Sequence, residues 1–66
     1  MEYRIKQFRI ERNISQEELA ALSGVSRATI SGLESGAITT TTTSTLSRIA
    51  KALDKNVSDL FFEEKI

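Results

Sequence analysis

The residues able to do chemistry in this 66-residue chain are hydrogen-bonding ones, namely arginine, glutamine, serine and threonine. The chain contains no His and no Cys. Nucleophile–base pairs are therefore hard to build, and neither a common zinc site nor a disulfide is available. A core this small also leaves little room for a substrate pocket. We expect a non-enzymatic binding module with no metal, no other cofactor and no small-molecule substrate.

The charge distribution and the expected cellular compartment restrict the possible functions further. Nine Lys+Arg balance nine Asp+Glu, but residues 1–12 carry a net +2 and residues 54–66 a net −2. The neutral total argues mildly against nucleic-acid binding, while the basic end leaves it open. The absence of Cys, of a signal peptide and of any apolar run near the ~20 residues that span a bilayer predicts a cytoplasmic protein with no membrane partner.

The elements that must position these side chains are helices. Apolar spacing and capping residues predict one all-α domain over residues 1–66, with helices at about 2–12, 16–23, 27–35 and 44–53 and a short fifth one after Asn56. Ser15 and Glu18 have the spacing of a capping box, and Gly24 stands where a helix end needs positive φ.

A threonine-rich run from Ala37 to Thr45 separates the third and fourth helices. Consecutive threonines lose side-chain freedom in a helix, so most of this run is expected to be loop. A hydroxyl near Thr42 is expected to cap the fourth helix.

Two short helices joined through residues 24–26 have the spacing of a helix-turn-helix. The sequence resembles the xenobiotic-response-element (XRE) type of helix-turn-helix domain, which includes lambdoid phage repressors and Cro proteins. The runs that carry the likeness are QEELA at 16–20, SGVS at 23–26, TIS at 29–31, LESG at 33–36, IAKAL at 49–53 and NVSDLF at 56–61. The resemblance implies a compact five-helix, lambda-repressor-like bundle that binds double-stranded operator DNA as a two-fold homodimer.

In such a domain the third helix enters the major groove with its N-terminal residues against base edges. Arg27 opens that helix, and its guanidinium can bond guanine O6 and N7 in a fork. A solvated charge or a phosphate contact is the alternative. Ala28 offers only contact with a thymine methyl, or room for close approach.

Gly32 departs from the family, whose members usually place a base-reading side chain there. It either permits close backbone approach or reads nothing. Polar contacts are then left to Arg27, Thr29 and Ser31, with DNA shape contributing to the reading.

Other side chains are expected at the DNA backbone. Gln16 begins the second helix, where an anion is favoured, and the matching family residue contacts phosphate. Ser35 matches a small polar phosphate contact. Arg9 is expected mainly to pair with Glu34, with phosphate as the alternative. The expected DNA-contacting set is Arg9, Gln16, Arg27, Ala28, Thr29, Ser31, Gly32, Ser35, Thr40 and Thr41.

The threonine run is a second departure, because many relatives carry cations or Pro there. Its hydroxyls and amides can still bind phosphates; a merely flexible polar loop is the alternative. Phe61, Phe62 and Ile66 are more apolar surface than one short helix can bury. Phe61 matches a core position of the family, whereas Phe62 and Ile66 suggest either a dimer contact or the packing of Phe62 beside Tyr3. Leu22 is a further interface candidate.

These observations predict a sequence-specific regulator, most often a repressor, on a pseudo-palindromic operator. It is either a complete small regulator or the N-terminal domain of a longer one. The rival is a protein-interaction module or antitoxin-like subunit of the same fold with weak or no DNA binding, favoured by the neutral charge, the cation-free loop and Gly32.

Overall fold

The computed structural model describes residues 3–60, and every regular element in that range is helical. The elements are α1 (Ile5–Glu11), α2 (Gln16–Ser23), α3 (Arg27–Ser35), α4 (Thr43–Ala52) and a 3-10 turn (Val57–Leu60). The prediction of an all-α domain is confirmed, with a single 3-10 turn in place of the fifth helix.

The predicted start of the first helix at Glu2 is wrong, because α1 begins at Ile5. The Arg4 amide donates a hydrogen bond to the Leu60 carbonyl at 2.7 Å. That long-range bond ties the chain entry to the 3-10 turn. The fourth helix is shifted by one residue from its predicted bounds, since Thr42 is its N-cap.

The local signals at the other helix ends are confirmed. The Ser15 hydroxyl accepts from the Glu18 amide, and the Glu18 carboxylate accepts from the Ser15 amide, which is the capping box. Gly24 has φ 72° and Asn13 has φ 60°, so both adopt the left-handed conformation that ends a helix. The turn at Asn13 joins α1 to α2, and the turn at Gly24 brings α2 and α3 together as a helix-turn-helix.

One hydrophobic core holds the helix-turn-helix against the rest of the domain. The predicted apolar stripe of α4 is buried, and α2 packs against both α3 and α4. The buried apolar residues are Ile5, Phe8, Leu19, Val25, Ile30, Leu33, Leu46, Ile49, Ala50, Leu53 and Leu60. Because Ile30 and Leu33 are anchored in this core, the opposite face of α3 must point outward.

The predictions that concern Phe61, Phe62 and Ile66 lie outside the described residues. Among residues 3–60, no helix has the length and apolarity needed to cross a bilayer.

Candidate nucleic-acid interface

The exposed face of α3 is narrow and carries few functional groups. Ile30 and Leu33 are buried on one side of the helix. The exposed side chains on the other side are Arg27, Ala28, Ser31 and Ser35. We call these four residues the recognition face. It offers one guanidinium, one methyl and two hydroxyls, so the structure brings together four of the residues expected to contact DNA.

Arg27 is the first residue of α3 and its side chain is 62% exposed. One guanidinium nitrogen, Nη1, lies 3.6 Å from the Glu17 carboxylate on α2. Both side chains are solvated, so this ion pair contributes little to stability. It does keep the guanidinium on the α2 side of the recognition face. The sequence does not predict this contact, because nothing in the spacing of the two residues indicates it.

Thr29 is half-buried, and its polar groups are used at the helix start. Its amide donates to the Ser26 hydroxyl oxygen at 3.2 Å, and the Ser26 hydroxyl donates to the Thr29 hydroxyl oxygen at 2.9 Å. Ser26 is therefore the N-cap of α3, as predicted. The pair fixes the beginning of the helix and thereby the direction in which Arg27 leaves it.

Gln16, Glu34 and Arg9 form one half-buried polar cluster behind the recognition face. Arg9 donates from Nε and Nη2 to the two Glu34 carboxylate oxygens, at 2.8 and 3.0 Å. Its Nη1 donates to the Ile14 carbonyl at 2.9 Å. The predicted Arg9–Glu34 pair is thus present, with the Glu34 side chain only 4% exposed. Hydrogen bonding to Glu34 raises the pKa of Arg9 above its usual value.

The same carboxylate also holds Gln16, the first residue of α2. The Gln16 amide nitrogen donates to Glu34 Oε1 at 3.1 Å. An amide nitrogen has two protons, so one N–H remains for a further acceptor at the N-terminus of α2. Glu34 therefore orients the Gln16 amide on one helix and fixes α1 on the other side. No sequence signal connected Gln16 with Glu34.

Ser35 and Gly32 lie at the far end of α3. The Ser35 hydroxyl donates to the Gly32 carbonyl and accepts from the Ala37 amide, both at 3.3 Å. These bonds close the end of the helix, and Gly36 then turns the chain with φ 85°. The Gly32 carbonyl also accepts from the Ile38 amide at 2.9 Å.

The threonine loop, residues 37–42, runs from this helix end to the start of α4. Thr39 and Thr40 are exposed and Thr41 is half-buried. The Tyr3 hydroxyl donates to the Thr39 carbonyl at 3.3 Å, and the Thr42 hydroxyl oxygen accepts from the Thr45 amide at 3.1 Å. The predicted cap at Thr42 is confirmed.

The Helix-turn-helix family model matches residues 5–60 of this chain. The chain therefore belongs to the XRE-type helix-turn-helix family of DNA-binding transcription regulators.

A solved structure similar to this one is the restriction-modification controller protein C.AhdI from Aeromonas hydrophila. The two chains share 34% sequence identity, the match covers 88% of this chain and 86% of that chain, and the TM-score is 0.82. The likeness confirms the predicted lambda-repressor-like fold. No curated protein sequence gives a significant match.

Proposed function

We propose that this protein is a sequence-specific transcriptional repressor that binds a pseudo-palindromic operator as a cytoplasmic homodimer. The observation that carries the proposal is the recognition face of α3, opened by an exposed Arg27. The Gln16 amide at the start of α2 stands beside it as a phosphate donor. Membership of a family of regulators, and likeness to a controller protein, support the same role. The proposed role involves no catalysis.

The small size of the recognition face favours binding as a dimer. A bidentate arginine–guanine pair contributes about 1–3 kcal/mol of discrimination. Specific sites are favoured over random DNA by about 4–10 kcal/mol. One copy of a face with a single guanidinium falls below that range, whereas two copies on two half-sites give about 2–6 kcal/mol, which overlaps its lower part. Half-sites separated by one helical turn, ~34 Å, would let both α3 helices enter the same side of the duplex.

Selection of bound duplexes from a random pool tests the proposal. We expect an enriched sequence with two-fold related halves, each containing a guanine preference, with centres about 10 base pairs apart. Sedimentation of the complex should give two chains per duplex. An unenriched pool, or one chain on an asymmetric site, would contradict it.

A second candidate is a protein-interaction module with weak or no DNA binding. Two large apolar side chains favour it, since Ile10 is 57% and Leu22 is 64% exposed. Isolated exposed apolar residues are common on soluble domains, so the recognition face has the stronger claim. The interaction module predicts no enrichment in the same selection.

A further inference from the structure

The backbone conformation of Gly32 does not explain why this position is a glycine. It lies inside α3, so its conformation is open to any residue, and glycine is unfavourable there relative to alanine. A Cβ at this position would lie 2.5 Å from Ile38 Cδ1 and 2.6 Å from Ile38 Cγ1. Carbon atoms that are not bonded to each other do not approach so closely. The isoleucine of the threonine loop therefore occupies the place of the missing side chain.

Ile38 is held in this position by more than one contact. Its amide donates to the Gly32 carbonyl at 2.9 Å, and its half-buried side chain packs against the hydrophobic core. The next residue, Thr39, accepts the hydrogen bond from the Tyr3 hydroxyl. The loop is thus fastened to α3 immediately before its exposed threonines.

The fastening lies on a defined flank of the recognition face. Gly32 follows Ala28 by one helical turn, so the loop borders the Ala28 side of that face. Gln16 and Glu17 of α2 border the Arg27 side, as their contacts with Glu34 and Arg27 show. A duplex whose groove receives α3 would therefore present one phosphate strand to α2 and the other to the threonine loop.

We propose that Gly32 and Ile38 are a positioning pair, which holds residues 39–41 where their hydroxyls and amides contact phosphates. This inference rests on the proposed DNA binding. Because the loop is ordered before binding, its uncharged contacts do not lose the entropy of ordering a free loop. Gly32 then reads no base. It makes room for the side chain that fixes the loop, which accounts for glycine where relatives carry a base-reading residue.

Three variants test the pair: Gly32→Ala, Ile38→Ala and the double variant. Gly32→Ala must displace the end of the Ile38 side chain, which is the contact that fixes the loop. We expect about five- to tenfold weaker binding to both the selected operator and a random duplex, with an unchanged salt slope, since neutral phosphate contacts neither read sequence nor release counterions. Hydrogen exchange of the Ile38 amide in the DNA-free protein should become faster.

The double variant separates positioning from general damage. Ile38→Ala removes Cδ1 and Cγ1 and leaves only Cβ, at 3.5 Å from the new methyl group, an ordinary contact. Adding Gly32→Ala to Ile38→Ala should therefore change affinity by less than about twofold. Circular dichroism checks that each variant is folded.

Two results would overturn the positioning pair while wild-type protein binds DNA. One is a Gly32→Ala variant with wild-type affinity and wild-type Ile38 exchange. The other is a loss confined to the operator, which would mean that Gly32 itself approaches a base. Failure of the wild-type protein to bind either duplex would instead refute the proposed function, and the loop's role with it.

Discussion

Arg27 and Gln16 stand at the N-terminal ends of two consecutive helices, where backbone amides point outward and negative charge is favoured. Their side chains are held differently. Gln16 is bonded to a carboxylate that is almost fully buried, whereas Arg27 faces solvent beside an exposed Glu17. An amide held by a buried carboxylate suits contact with an invariant phosphate, and an exposed guanidinium suits a base edge that differs between sequences.

Arg27→Ala should weaken binding to the selected operator by about 1–3 kcal/mol and relax the preference at one base position per half-site. Arg48→Ala is the matched control, since Arg48 is an exposed cation on α4. It should leave the base preference intact. Competition binding with operators altered at single positions measures both. If Arg27→Ala weakens every sequence equally, the guanidinium contacts phosphate.

Gln16→Ala should weaken the operator and a random duplex by a similar factor of about five, because a phosphate contact positions the protein without reading sequence. Gln7→Ala on α1 serves as the control. It removes a side-chain amide that is exposed and donates to the Glu11 carboxylate at 3.4 Å. Titration of both duplexes at one salt concentration gives the comparison. Unchanged affinity for Gln16→Ala would show that the phosphate contact does not exist.

At the scale of the helices, boundaries set by neighbouring residues could be predicted from the sequence. The capping box at Ser15, the turn at Gly24 and the cap at Thr42 each depend on residues within three positions. The attachment of α1 to the 3-10 turn could not, because the hydrogen bond from the Arg4 amide to the Leu60 carbonyl joins residues far apart in the chain.

The reason for a glycine at position 32 could not be predicted from the sequence either, for a similar cause. The sequence places a glycine inside a predicted helix, and only the closure of the threonine loop shows that Ile38 fills the space beside it. Residues that are close in sequence therefore predict the helices. The role of Gly32, which departs from the family pattern, depends on a residue that only the folded chain places beside it.

Thr42→Ala should lower the free energy of unfolding by about 1 kcal/mol, because it removes the oxygen that accepts from the Thr45 amide at the start of α4. In a domain of this size that is a fall of about 4–8 °C in Tm. Thr43→Ala, one residue into the helix, removes a similar exposed hydroxyl and should be neutral or slightly stabilising. Thermal unfolding followed by circular dichroism measures both, and equal Tm values for the two variants would contradict the cap.

At the scale of the whole molecule, the arrangement of cations limits how strongly salt should affect DNA binding. Arg9 is bonded to Glu34 and Ile14. Arg12 donates to the Leu53 carbonyl at 2.9 Å and lies 3.4 Å from Asp54. Of the cations considered at the DNA side, Lys6, Arg12 and Arg27 are exposed to solvent, the last two beside exposed carboxylates.

We therefore expect about two to three effective phosphate neutralisations per subunit. For a dimer this gives a log–log salt slope of about −4 to −5, shallow beside the ~−10 of a strongly basic repressor. The threonine loop carries no charge, so its contacts add affinity without adding to the slope.

The most direct test of sequence-specific DNA binding is to titrate wild-type protein against the selected operator and a scrambled duplex in parallel, from low to moderate salt. We expect a preference for the operator of about 10³-fold or more, and a log–log salt slope near −4 to −5 on the operator. Equal affinity for the two duplexes, or no salt-sensitive binding to either, would contradict it.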